Sequence, residues 1–168
     1  AWFGWRDGQL RFPDCNILFG FEVLSIDAAV EEWKDWQQYQ DMNQEVSEWC
    51  TSRPVGSIVP AYTTPGWIPL AQWPATSNYL GIDMNPGPQG TIGQVINFGR
   101  DEMEKCVAGS SLAAFIEFLL DELESENVVV DETQIRYVSH TFGDLGAVFT
   151  RLHDQGCFDG RRLRRTVI

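Results

Sequence analysis

The chain has 168 residues, 43% hydrophobic and 12% aromatic, with 24 acids against 12 bases and a formal net charge of −12. That much apolar material supplies a sizeable core and excludes a disordered chain. No apolar run approaches the ~18 residues of a membrane span, and an acidic surface repels phosphate backbones, so neither membrane nor nucleic acid is expected as a partner.

Four cysteines, Cys15, Cys50, Cys106 and Cys157, stand far apart. None has the spacing of a zinc ribbon or a dithiol redox site, so reduced thiols in a cytoplasmic protein are expected. The charge is unevenly spread. Residues 1–150 hold 22 acids against 7 bases, whereas residues 151–168 hold 5 bases against 2 acids. The basic cluster Arg161, Arg162, Arg164 and Arg165 reads as a solvated terminus lying against its own acidic body.

In chain order, Ala1–Trp5 suggests the end of a helix, turning at Asp7-Gly8. The aromatic and β-branched run from Ile17 to Val23 predicts a strand. Asp27 is a suitable N-cap for a helix reaching about Asp41, with Val30, Trp33 and Trp36 as its apolar stripe. A short helix carrying Val46 and Trp49 follows and stops at Arg53-Pro54. From Pro54 to Phe98 proline and glycine recur every few residues. Ile58-Val59, Trp67-Ile68, Tyr79–Ile82 and Val95–Phe98 read as strands of a meander, with a long hairpin loop over residues 84–93. Ser110 or Ser111 caps a helix whose Leu112, Phe115, Ile116, Leu119, Leu120 and Leu123 share one face. That helix ends in Asp121, Glu122, Glu124 and Glu126, charges its own dipole disfavours. Val128–Val130 suggests another strand, and Leu145, Val148, Phe149 and Leu152 a last helix. Strands joined by short turns with helices grouped at the ends predict an α+β fold with a mainly antiparallel sheet.

A catalytic set is hard to assemble. Gly87, Gly90 and Gly93 fit neither the dinucleotide fingerprint nor the P-loop. Asp83-x-Asn85-x-Gly87 departs from a calcium loop, because prolines interrupt it and Gln94 stands where the closing glutamate belongs. The two histidines, His140 and His153, have no convincing nucleophile beside them. No catalytic residue, cofactor or metal is therefore assigned. All seven tryptophans lie between Trp2 and Trp73. Trp33 and Trp36 suit a core. Trp67 and Trp73 flank a strand, where core and a partner-binding rim are equally suitable.

The run Gly66-Trp67-Ile68-Pro69-Leu70-Ala71, then Leu80-Gly81-Ile82-Asp83 with Pro86, then Gly90-Thr91-Ile92-Gly93-Gln94-Val95-Ile96, resembles the SMI1/KNR4 (SUKH) family. Asp7-Gly8-Gln9, the segment Phe19–Ser25 and the helix over 110–124 extend the resemblance to residues 3–126. The family usually has helices before the first turn, of which only a part is expected here. The resemblance implies an α+β domain over residues 1–126, with a twisted sheet flanked by helices. Residues 127–168 match nothing in the family pattern and are expected to pack on the same domain as an extension. The resemblance also implies a non-catalytic protein-binding role, either in toxin immunity or in cell-wall synthesis and its signalling. The implied partner is a protein, a basic toxin or a signalling protein. Candidate contacts are Trp67, Trp73, Asp83, Asp121, Glu122, Glu124 and Glu126. The alternative from the residues alone is a glycan-binding protein or glycan-acting enzyme using tryptophans and carboxylates.

Overall fold

A computed structural model describes Gly8 and residues 20–124, 128–131 and 136–139. Six strands form one open sheet: β1 (Glu22–Val23), β2 (Thr51–Arg53), β3 (Trp67–Gln72), β4 (Asn78–Asp83), β5 (Gln94–Gly99) and β6 (Glu104–Gly109). Their spatial order is β1-β3-β4-β5-β6-β2. Every pair is antiparallel except the edge pair β2–β6, which is parallel. The helices are α1 (Ile26–Gln37), α2 (Asn43–Val46) and α3 (Leu112–Glu124). The fold is α+β, as the punctuation of the sequence predicts.

Both faces of the sheet are covered, so the central strands bury alternate side chains in two separate cores. Leu24, Ala29, Trp36, Ile58, Tyr62, Trp67, Tyr79, Ile96 and Phe98 form one core under α1. Phe21, Ala71, Leu80, Val95, Cys106, Ala108, Phe115 and Leu119 form the other under α3. Tyr79 and Leu80, adjacent on β4, belong to different cores because successive strand residues face opposite ways.

Several expectations need correction. Ser25, not Asp27, caps α1: its hydroxyl accepts from the Ala28 N–H at 3.2 Å. Leu24 donates to the Leu70 carbonyl at 2.9 Å, so the chain is still tied to β3 just before it turns into the helix. The helix ends at Gln37 rather than near Asp41, and a 3-10 turn over Gln40–Met42 follows. Trp36 is core, but Trp33 is only half-buried and donates its Nε1–H to the Pro65 carbonyl at 3.0 Å, while Val30 is exposed. Ile58-Val59 forms no strand; Ile58 makes a single bridge to Pro86. Strand β6 was not expected from the sequence. Ser111 does cap α3, accepting from Ala114 at 3.1 Å. Within the expected apolar face of α3, Phe115 and Leu119 are buried but Leu120 is half-exposed.

β7 (Val128–Asp131) meets the strand expectation at 128–130 and pairs with β8 (Arg136–Ser139) in a separate two-stranded sheet. The opening helix end, residues 17–19 of the strand expected over Ile17–Val23, the last helix around Leu145–Leu152, and His140 and His153 lie outside the described residues.

Candidate protein-binding surface

The family motif converges on one row across three strands. β3–β4 register sets Trp67 opposite Asp83, and β4–β5 register sets Asp83 opposite Gln94. Directly opposed residues point to the same face. The Asp83 carboxylate accepts from the Asn85 backbone N–H at 2.9 Å through Oδ1 and from Gln94 Nε2 at 2.9 Å through Oδ2. Gln94 Nε2 also donates to the Ser57 carbonyl at 2.8 Å, and its Oε1 accepts from the Thr91 N–H at 3.1 Å. One buried carboxylate and one buried amide therefore fix the 84–93 loop against the 54–58 turn. Burial pushes the Asp83 carboxyl above its ordinary range, and the bonds from Gln94 and Asn85 oppose this. The Trp67 indole Nε1 has no hydrogen bond of full geometry among the described residues, yet lies near enough to favour the Asp83 charge.

Trp67 and Asp83 are 1% and 0% exposed, so neither side chain can meet a partner. The reason is physical: the Trp67 ring packs against Phe98 at 5.6 Å, and Lys105 Nζ sits 5.3 Å from its centroid. Trp73 is half-buried and packs edge-on against Phe21 at 5.4 Å. It belongs to the core under α3, whereas Trp67 belongs to the core under α1. The two tryptophans form no common rim. Asp121 and Glu124 are exposed at the end of α3. The Glu122 side chain and Glu126 lie outside the described residues.

The structure exposes a different surface. Residues 26–49 hold seven acids against one lysine. Asp27, Glu31, Asp35, Asp41, Glu45 and Glu48 are exposed, and Lys34 is paired with Glu31 at 3.2 Å. Large apolar side chains are exposed among them: Ile26, Val30, Tyr39, Met42 and, at 63%, Trp49. The backbone beneath is firmly held. Asn43 accepts from the Tyr62 N–H at 2.7 Å and donates to the Thr63 carbonyl at 2.8 Å, clamping α2 to the 61–64 segment. The Tyr79 hydroxyl donates to Glu32 at 2.5 Å, tying α1 to β4. Burial first, and then this bond to Glu32, push the Tyr79 hydroxyl pKa up.

Sequence reasoning missed Trp49 as a surface residue. A tryptophan three places after Val46 reads as the same buried stripe, but Val46 is buried and Trp49, in the 3-10 turn over Ser47–Trp49, is exposed, because no distant segment among the described residues covers its ring. Among the described residues no group of three or more histidines, cysteines or carboxylates is placed to hold a metal. No helix in the described residues is long and apolar enough to cross a membrane.

No family model matches the chain. It is 38% identical over 76% of its length to the cell wall biosynthesis/cell cycle regulator smi1 of Schizosaccharomyces pombe, covering 27% of that protein. It is 36% identical over 87% of its length to the cell wall assembly regulator SMI1 of Saccharomyces cerevisiae, covering 34% of it. It is 31% identical over 76% of its length to a glucan synthesis regulatory protein of Neurospora crassa, covering 30% of it. The chain thus spans about a third, or less, of the curated relatives it matches. These relatives are named as regulators rather than enzymes. On them, and on the motif running from Gly66 to Ile96, the chain belongs to the SMI1/KNR4 family.

Proposed function

We propose that this chain is the protein-binding part of a fungal-type cell-wall regulator, and that its α1–α2 surface meets a basic signalling partner in the cytoplasm. The observation that carries the reading is an acidic surface that also exposes Tyr39, Met42 and Trp49 on a clamped backbone. Charges of one sign steer an oppositely charged partner, and exposed aromatic residues anchor it once it arrives. Similarity to proteins named as regulators of the cell wall favours the regulatory role over toxin immunity. The glycan reading is left with a single exposed ring, Trp49, among the described tryptophans, because Trp36 and Trp67 are core and Trp33 and Trp73 are half-buried.

The test is an exchange. The matching third of the budding-yeast regulator is replaced by this chain, and growth is scored on a dye that perturbs the cell wall. Growth should match the intact regulator. Reversing Asp41, Glu45 and Glu48 to lysine together with Trp49→Ala should abolish the rescue while leaving the melting temperature within a few degrees. Reversing Asp121, Glu122, Glu124 and Glu126 instead tests the α3 end as the contact region. Full rescue by the α1–α2 variant would refute that surface. Failure of the unaltered chain to rescue would refute the regulatory reading itself.

A further inference from the structure

Lys105 is completely buried, which is unusual for a lysine. Its position on β6 points it into the core under α1, where its Nζ stands over the Trp67 ring and donates to the Glu102 carbonyl at 2.7 Å. The same Nζ lies 3.8 Å from the Cys50 sulfur. Cys50 is itself 5% exposed and immediately precedes β2, whose Ser52 is paired with Lys105. A buried amine and a buried thiol therefore face one another across the parallel edge pair of the sheet.

Three features make this pair chemically competent. Burial lowers the Lys105 pKa, enlarging the share of neutral amine, which is the nucleophilic form. Cys106 is not placed to compete, because it points to the opposite face of β6, among Phe21, Ala71 and Leu80. Cys50 closes the one-turn helix Ser47–Trp49, held by its N–H to the Ser47 carbonyl at 3.1 Å and by its thiol, which donates to the Val46 carbonyl at 3.5 Å, and is flanked by exposed Trp49 and Thr51. A single turn of this kind opens far more readily than the sheet, which gives a small oxidant access to the sulfur.

We propose that Cys50 and Lys105 form an oxidation-dependent covalent crosslink, a sulfenamide, with hydrogen peroxide as the oxidant. Peroxide first transfers one oxygen to the thiol. Sulfur is oxidised by two electrons to the sulfenic acid, the O–O bond breaks, and one water leaves. The Lys105 nitrogen lone pair then attacks that sulfur. The N–S bond forms, the S–O bond breaks, and the hydroxyl departs as a second water with a proton from the amine. Sulfenic acids condense in this way with thiols and with backbone nitrogen; here the nitrogen is a side-chain amine. The flexible lysine stem closes the remaining gap by giving up its bond to the Glu102 carbonyl. A thiol reductant reverses the link by attacking the sulfur and releasing the amine. The crosslink joins residues 55 positions apart and fixes the chain entering β2 onto β6. This inference is independent of which partner the α1–α2 surface meets.

The test treats the reduced chain with hydrogen peroxide, digests it, and analyses the peptides by mass spectrometry. The expected product is a joined pair of peptides carrying Cys50 and Lys105, lighter by two hydrogens, about 2 Da, than their sum, and separated again by dithiothreitol. Cys50→Ser should abolish it. Lys105→Met, which keeps a long unbranched side chain in the site, should abolish the link and let dimedone label Cys50 several-fold more than in the unaltered chain. The circular dichroism and melting curve of each reduced variant establish that it is folded. Four results would overturn the proposal: an unreacted Cys50, a disulfide from Cys50 to another cysteine, sulfinic acid at Cys50 with Lys105 unmodified, or equal dimedone labelling in the unaltered chain and Lys105→Met.

Discussion

Replacing Asp83 by alanine removes the acceptor for two donors, the Asn85 N–H and Gln94 Nε2. Asn85 is exposed, so water can satisfy its N–H. Gln94 is 2% exposed and keeps only its bond to the Ser57 carbonyl from that nitrogen. A hydrogen bond to a charged group contributes about 1.5–3 kcal/mol, but removing the carboxylate also relieves its burial, which leaves a net loss of about 1–3 kcal/mol. Asp83→Asn should not rescue this, although it is isosteric. Its NH2 must face either the Asn85 N–H or the Gln94 NH2, and flipping Gln94 would set its oxygen against the Ser57 carbonyl. The pH dependence has a definite sign. The folded-state pKa is raised, so the folded protein binds more protons than the unfolded chain above the ordinary carboxylate pKa of about 4. The Asp83 contribution to stability is therefore greatest below that range and declines as pH rises through the raised value. Urea unfolding of the unaltered chain, Asp83→Ala and Asp83→Asn between pH 4 and 8, in steps of about half a unit, measures all of this. An unchanged midpoint for Asp83→Ala, full stability of Asp83→Asn, or a stability gap to Asp83→Ala that widens with pH would rule out this role for Asp83.

Other substitutions probe the remaining features of the fold. Lys105→Met should be neutral or stabilising, because it removes a buried charge at similar volume. Its effect on pH dependence follows from the lowered pKa: the unaltered chain gains stability as pH rises from the lowered value toward the ordinary lysine value, and Lys105→Met should flatten that rise in alkaline urea titrations. Gly81→Ala should destabilise by about 1–3 kcal/mol, since an added Cβ would collide with the Ile68 carbonyl and stand 2.6 Å from the Phe98 ring; thermal unfolding reads this directly. Ser25→Ala should cost about 1 kcal/mol through loss of the α1 cap, and Asp27→Ala much less, a difference visible in paired denaturation curves.

Elements whose signals are local can be read from the residues alone. β3, β4, β5 and the loop over 84–93 follow from short apolar runs between prolines and glycines, and α3 follows from its 3.6-residue stripe behind Ser111. The motif residues Trp67, Asp83 and Gln94 were legible too, and the antiparallel register of two successive hairpins aligns them in one row. Other features depend on contacts between segments distant in the chain. Ser25 and Asp27 are equally suitable caps, and the tie of Leu24 to β3 accompanies the choice of Ser25. Strand β6 escaped notice because its lysine is buried and both its faces are covered, which erases the polar–apolar alternation a strand usually shows. The tryptophans make the same point. Nothing in the residue type separates Trp67, enclosed by Phe98 and Lys105, from Trp49, exposed in the 3-10 turn that precedes β2. Local pattern sets where strands and helices form, whereas burial depends on which distant segments pack against a side chain, and only the folded chain brings those segments together.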